Sequence, residues 1–581
     1  MDECNKPMKQ TIAAYITQLL YQAGVRRIWG VTGDSLNGIN DSLQAQGNIQ
    51  WLGTRHEEVA AFAAGAEAEV TGQLAVCAGS CGPGNMHLIN GLYNCYRNRV
   101  PVLAIASDIP SSEVGSHYFQ ETDPKALFQE CSVFCQVLSH PEQMPELLEA
   151  AIRQAILKRG VSVLVLPGDV ALASMPANIP IKWQAPVLPV VQPDASVVQD
   201  CANLLSRERK CVILCGAGCA GAHKDVIALA EKLKAPIVHA LRGKEHIEYD
   251  NPYDIGMTGL IGFSSGYYAM DSADAVILLG TGFPFRLFYP KGAKVIQVDN
   301  QPDALGRHVQ LDIGVVSDVQ TFIQALLPQL TAKSDDAFLR KCTAHFRKAR
   351  AGLDALADIT PDSRLIHPQT LNALISDKAD ADAIFTCDVG TPTLWAARYL
   401  QMNGQRRLIG SFNHGSMANA LAQAIGAQAV DKNRQVIAMC GDGGFSMLMG
   451  DLLTLKPYQL PVKVVVLNNS SLAFVAMEME ADGFISDATN LSNPSFADIA
   501  TACGITGIKV SDPHQLSAAI DELLAVDGPA LLEVMSNKFE LSMPPKISFA
   551  QGKGFGLYML RAIYNGKGND LIQLTQSNLF R

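Results

Sequence analysis

Two stretches far apart in this chain carry side chains suited to one reaction centre. Arg55-His56-Glu57-Glu58 gathers titratable groups at the head of an alanine-rich run. Downstream, Gly441-Asp442-Gly443-Gly444 follows the apolar Val436-Ile437-Ala438-Met439, and Asn468-Asn469 follows Val464-Val465-Val466-Leu467. An Asp just past one strand and an Asn just past a second offer oxygen ligands to a hard cation, while neighbouring glycines let backbone N–H groups approach a phosphate. Mg²⁺ keeps octahedral oxygen coordination and is held by one or two protein groups plus substrate phosphates. The pattern predicts a Mg²⁺–diphosphate anchor at Asp442 and Asn469, with Gly443, Gly444 and Ser446 where a helix N-terminus meets the diphosphate. Glu57 is left to do acid–base work. Taken alone, Gly-Asp-Gly is also an ordinary capping turn, and His56-Glu57-Glu58 a charged helix start favoured by the dipole.

The elements that would position these groups follow from hydrophobic patterning. Short β-branched runs alternate with Ala- and Leu-rich helical stretches, the signature of βαβ units on parallel sheets. A first block, 1–189, has strand-like runs at 27–31, 74–77, 102–106 and 161–166, with a helix expected over 58–68. A Pro-rich joint at 185–193 reads as a linker. The second block, 190–343, has strands at 211–214, 235–238, 275–279 and 294–298. The third, 344–539, follows a polar helical stretch at 334–357 and has strands at 383–386, 435–439, 462–467 and 530–534. The expected fold class is α/β, with three doubly wound parallel-sheet domains and a C-terminal amphipathic tail at 540–581.

Composition narrows the function classes. The 581 residues are 48% hydrophobic and 18% charged, which suits well-buried α/β domains. A net charge of −10 argues against nucleic-acid binding. The 14 cysteines form no CxxC pair and the CxxxC pairs lack a spaced His pair, which argues against zinc. The N-terminus is polar with no signal-peptide core behind it, and no apolar stretch approaches the ~18 residues of a spanning helix. The expected location is the cytoplasm, with reduced thiols.

Gly216-Ala217-Gly218-Cys219-Ala220-Gly221 is a GxGxxG between a strand and a helix expected over 222–233. Such a turn ordinarily points to NAD. The next strand, however, ends in His239-Ala240-Leu241-Arg242, without the acid that binds the ribose. That argues against NAD and leaves NADP open through Arg242.

Gly441-Asp442-Gly443 leading to Asn468-Asn469 resembles the signature of thiamine-diphosphate (ThDP) enzymes. Arg55-His56-Glu57 resembles that family's N-terminal glutamate segment, and His414-Gly415-Ser416-Met417 its aminopyrimidine grip. The resemblance covers essentially the whole chain and is nearest to the quinone-reducing type of bacterial pyruvate oxidase. It implies that Glu57 hydrogen-bonds the ring nitrogen N1′, favouring the 4′-imino form that removes the C2 proton. It implies that Gly415 offers a carbonyl to the 4′-amino group, that Met417 bends the cofactor, and that the Ser471 carbonyl is the third protein ligand to Mg²⁺ beside Asp442 and Asn469. Ser416, Gly443, Gly444, Ser470, Leu472, Ala473, Phe474 and Val475 would complete the ThDP site. Thr258, Gly259, Leu260 and Ile261, then Thr281, Gly282, Phe283, Pro284 and Phe285, then Asp299, match flavin-contact segments and imply FAD in the middle domain. Phe119 and Gln120 would lie near pyruvate, and Phe474 between thiamine and flavin. Ala418 and Ala473 stand where many relatives carry glycine. A dimer would share each active site, within a homotetramer.

From Leu541 the tail carries Lys546, Lys553, Arg561, Lys567 and Arg581 against Asp570, a formal +4 on an acidic protein. Leu571, Ile572, Leu574 and Leu579 fall on one side of a helix, with Asp570, Gln573, Gln576 and Ser577 on the other. An amphipathic helix with cationic neighbours lies well on anionic lipid. The expected protein is a peripheral membrane enzyme on the inner face of the cell membrane that converts pyruvate to acetate and CO2 and reduces ubiquinone. Its rivals are a phosphate-dependent pyruvate oxidase, an acetolactate synthase and a non-enzymatic membrane scaffold.

Overall fold

The structure, a computed structural model, describes residues 10–176, 179–540 and 557–559. The tail residues on which the membrane-binding expectation rests lie outside them, apart from one turn at 557–559. Three six-stranded parallel sheets organise the chain, as the alternating pattern predicts. The first holds β1 (Arg27–Gly30), β2 (Gln50–Gly53), β3 (Ala75–Gly79), β4 (Val102–Asp108), β5 (Phe134–Val137) and β6 (Val161–Pro167), ordered 2-1-3-4-6-5. The second holds β7 (Cys211–Cys215), β8 (Ile237–His239), β9 (Asp254–Met257), β10 (Ala275–Leu279), β11 (Lys294–Asp299) and β12 (Ile313–Val316), ordered 12-11-10-7-8-9. The third holds β13 (Ile384–Cys387), β14 (Arg407–Gly410), β15 (Val436–Gly441), β16 (Lys463–Asn468), β17 (Thr506–Val510) and β18 (Ala530–Met535). Its order, 14-13-15-16-18-17, repeats that of the first sheet. Every strand that patterning misses, namely β2, β5, β9, β12, β14 and β17, is a sheet edge.

The first and third domains share one core. The helix Glu57–Thr71 is buried on all sides through Ala60, Ala61, Ala63, Ala64, Ala66 and Ala68. It packs against Asn419–Val430, a second helix rich in small residues. A side chain at Gly426 would bring a Cβ within 2.1 Å of the Ala63 carbonyl, so glycine permits the close crossing. An apolar helix is buried all round only when other elements cover it on every side, and this one aims Glu57 from the first turn of a rigid rod.

A charged network joins all three domains. Arg242 Nη2 lies 3.5 Å from Glu69 Oε1 and donates to the Asn98 carbonyl at 3.3 Å. Glu245 Oε2 accepts from Arg407 Nε at 3.0 Å and from Leu408 N at 2.8 Å. Burial pushes the Glu69 carboxyl up, and Arg242 and Arg407 oppose it.

Candidate active site

In the third domain, β15 ends at Gly441 and the helix Asp442–Leu448 begins at once. Asp442 Oδ1 accepts from Gly443 N at 2.9 Å and Oδ2 from Asn493 Nδ2 at 2.8 Å. The N–H groups of Ser470 and Ser471 also favour its carboxylate, so the two predicted anchor segments meet. Burial outweighs these donors and holds the Asp442 carboxyl above its ordinary value. Among the described residues no Lys, Arg or His pairs with it. A buried carboxylate favoured by donors yet lacking a cation fits a divalent metal. Asn469 Oδ1 accepts from Ser471 N at 3.0 Å, whereas Asn468 is spent on structure, donating to Glu533 Oε1 at 2.8 Å. The Ser471 hydroxyl is buried without a partner.

Patterning does not anticipate what holds this loop. Residues 489–491 lie antiparallel to 470–472, with Leu472 N donating to Thr489 O at 2.8 Å and Leu491 N to Ser470 O at 2.9 Å. Ser470 takes a left-handed φ of 53°. Ala473 sits in the helix Ala473–Ala481, where alanine is favoured. Phe474 shares that helix, none of whose residues is fully buried, and Val475 is exposed.

Asp388, also unanticipated, ties three segments together. Its Oδ1 accepts from Ala420 N at 2.9 Å and its Oδ2 from Gly441 N at 3.2 Å. A Cβ on Gly444 would come within 2.5 Å of Oδ2. Burial pushes the Asp388 carboxyl up to about 7. A carboxyl raised in the fold costs stability as pH rises from its unfolded value toward its folded one. Wild type is therefore expected to lose thermal stability relative to Asp388→Asn between pH 4 and 7. Parallel midpoints for the two proteins would refute this.

Met417 Cε lies 3.3 Å from where a Gly443 Cβ would stand, so the aminopyrimidine and diphosphate segments also meet. Gly415 is exposed with φ 87°. Ser416 Oγ accepts from Asn90 Nδ2 of the first domain at 2.9 Å. Ala418 has φ 63° in the left-handed region, which costs an L-residue ~1–2 kcal/mol. Ala418→Gly should remove that strain but loosen the unfolded chain, a net gain of up to ~1 kcal/mol. A rise in the thermal midpoint would show it, and a fall would sink the strain argument.

In the first domain Glu57 is 7% exposed, and its Oε2 lies 2.9 Å from His87 Nδ1. Among the described residues no hydrogen bond or ion pair links Glu57 to the Asp442 loop. Glu58 is structural, accepting from Asn90 at 2.7 Å. Phe119 is 78% exposed. Gln120, with φ 63°, accepts through Oε1 from Cys81 Sγ at 3.2 Å, leaving its NH2 uncommitted.

The middle domain corrects the nucleotide reading. A Cβ on Gly216 would lie 2.4 Å from the Gly280 carbonyl, and one on Gly218 2.6 Å from Gly280 Cα. These glycines admit a close backbone crossing at the switch point of the sheet, and the following helix starts only at His223. Arg242, the remaining opening for NADP, is engaged with Glu69 and Asn98. Thr258 to Ile261 and Thr281 to Phe285 do come together: a Cβ on Gly259 would lie 3.2 Å from the Phe283 ring and 3.9 Å from Phe285. Thr258 Oγ1 is buried without a partner, nothing lies within 4 Å of a Cβ built on Gly282, and Leu260 and Phe285 are exposed. Pro284 is exposed beside them. Asp299 ends the adjacent strand β11, its carboxyl raised by burial and lowered by the Gln301 N–H and by Arg99. An exposed Phe285 beside the buried Phe283, a Thr258 hydroxyl without a partner among the described residues and a terminal carboxyl fit a flat ring system carrying a ribose.

Comparison with known proteins identifies the family. Models of the N-terminal TPP binding domain, central domain and C-terminal TPP binding domain of thiamine pyrophosphate enzymes match 10–127, 198–326 and 388–534. YdaP of Bacillus subtilis, provisionally named a thiamine pyrophosphate-containing protein, is 37% identical over 98% of this chain and 99% of its own. A pyruvate oxidase of Lactiplantibacillus plantarum is 30% identical over 90% of this chain and 88% of its own. The large subunit of acetolactate synthase isozyme 2 of Escherichia coli is 31% identical over 92% and 96%. Matched in all three domains and along nearly its whole length, the chain belongs to the thiamine pyrophosphate enzyme family.

Proposed function

We propose that the protein decarboxylates pyruvate oxidatively to acetate and CO2, using ThDP, Mg²⁺ and FAD, and passes the electrons to ubiquinone at a membrane surface. The observation that carries this reading is the presence, in one chain, of a buried cation-seeking Asp442 loop and of an aromatic cluster around Gly259. When bound, ThDP supplies the carbon nucleophile and electron sink for decarboxylation, and FAD takes up the electron pair.

Asp442, Asn469 and the Ser471 carbonyl would hold Mg²⁺, and Gly443 and Gly444 the diphosphate at a helix N-terminus. Met417 and Gly415 would shape and fix the aminopyrimidine. Glu57 would hydrogen-bond its ring nitrogen and pass a proton to it. Gln120, through its free NH2, would bind the substrate carboxylate or carbonyl, and Phe119 would close over it. Thr258, Thr281, Asp299 and the aromatic residues around them would hold FAD, with Phe474 on the path between the two cofactors.

Among the described residues nothing links Glu57 to Asp442 directly, and exposed apolar residues stud both halves: Met86, Val114 and Phe119 on one, Met447, Val475 and Phe484 on the other. Large uncovered apolar surface marks association, so the active site would form across a dimer within a homotetramer. The basic tail would dock on anionic lipid and open the quinone route. Among the described residues no helix is long and apolar enough to cross a membrane.

The test is the product formed from pyruvate with an artificial electron acceptor, alongside the flavin absorption spectrum. Acetate with a bound flavin supports the proposal. Acetolactate would favour the synthase chemistry of the Escherichia coli relative, and acetyl phosphate a phosphate-dependent oxidase. Truncation before Phe555 should abolish activation by anionic vesicles while leaving slow turnover with the artificial acceptor. An unchanged lipid response would remove the tail from the proposal.

A further inference from the structure

His56, Glu57 and His87 bring ligand-type atoms within 4.8 Å of one another, and the two imidazoles stack with centroids 4.4 Å apart. His56 Nδ1 accepts from Glu58 N at 3.1 Å, capping the helix, so neutral His56 carries its proton on Nε2. That commitment argues against a chelate: His87 alone of the two imidazoles bonds Glu57, and His56 serves it by stacking. The two oxygens of Glu57 differ in their surroundings. Oε2 lies 2.9 Å from His87 Nδ1, whereas Oε1 takes no hydrogen bond among the described residues and lies 3.1 Å from where a Cβ on Gly84 would stand. The His87 side chain is 46% exposed, so its Nε2 can exchange protons with water.

We propose that His87 is a positioning residue for Glu57: its Nδ1–H holds Oε2 and leaves Oε1 as the one oxygen free to meet a ligand ring nitrogen. With Oε2 held by that donor, the carboxyl cannot turn and presents one fixed oxygen to that nitrogen. Stacking on His56 fixes the imidazole plane, and the glycine at 84 leaves room for Oε1. The other charged or titratable groups around the pair are Glu58, held by Asn90, His414, whose Nε2 lies 2.8 Å from Asn90 Oδ1, and Arg55 and Asp451, joined by the Arg55 N–H to Asp451 Oδ1 at 2.9 Å. None of them touches Oε2.

This role rests on the thiamine reading of Glu57, so the experiment separates the two. ThDP binding with Mg²⁺ is first titrated on the unmutated protein by intrinsic fluorescence. No binding there would overturn the thiamine reading and the role of His87 with it. With the holoenzyme in hand, His87→Ala is expected to lower kcat by ~10–100-fold, the usual cost of losing an orienting partner, with KM for pyruvate changed less than about threefold. The circular-dichroism signal of the bound ring should weaken as well, because its nitrogen no longer meets a fixed oxygen. His87→Asn, which retains an N–H donor, should recover most of both. A His87→Ala enzyme whose bound-ring signal is unchanged, or a His87→Asn enzyme no better than it, would reduce His87 to a packing residue and overturn the proposal.

Discussion

Replacing Glu57 by Gln should cut turnover on pyruvate by ~10²–10⁴-fold, the range for losing a positioned general acid–base group. The fold should survive. Gln is isosteric and its amide oxygen still accepts from His87 Nδ1, 2.9 Å away in the wild type. The competing account makes Glu57 a charge at a helix start, where its interaction with the dipole is worth ~0.3–1 kcal/mol. The accounts separate cleanly, because the second predicts a small drop in thermal midpoint with unchanged chemistry. The measurement pairs steady-state rates with an artificial acceptor against thermal midpoints of the holoenzymes. Turnover within tenfold of wild type would remove Glu57 from the reaction.

Much of this architecture is written in the chain, and its silences have a physical cause. The strands legible in the sequence are the inner ones, buried on both faces, which read as continuous runs such as Val464-Val465-Val466-Leu467. The missed strands are edges: β5 is only half-buried and β12 alternates toward solvent, so their composition resembles the loops around them. The same logic governs the site. Asp442 and Asn469 are legible because each ends a strong apolar run. Asp388 ends one too, but shows its role only through N–H groups that come from residues 420 and 441. Asn493 and His87 reach their partners across intervals of chain that follow no fixed spacing. Glu57 stands out from an ordinary charged helix start only through its resemblance to known enzymes. The Gly216 turn misleads for the opposite reason. A glycine that admits a phosphate and one that admits a neighbouring backbone look identical in sequence, and here Gly280 occupies the space.

Asp442→Ala should abolish Mg²⁺-dependent ThDP binding without unfolding the protein. In the apoprotein this carboxyl is buried, raised above its ordinary value by that burial, and paired with no cation among the described residues. Its partners bear the loss differently: Asn493 Nδ2 keeps its bond to Asn468 Oδ1 at 3.0 Å, while Gly443 N must find water. The isosteric Asp442→Asn deletes the charge but keeps only one of the two acceptors, so either Gly443 N–H or Asn493 Nδ2 loses its partner and the apoprotein should melt somewhat lower while remaining folded. Ligand at 100 times its dissociation constant stabilises a protein by ~2.7 kcal/mol, and both variants should lose that increment when Mg²⁺ and ThDP are added together. Asn493→Ala, which disturbs only the group orienting Asp442, should weaken binding by ~10–100-fold. If Asp442→Asn still gains the full thermal shift from Mg²⁺ and ThDP, the cation is held elsewhere and the anchor assignment fails.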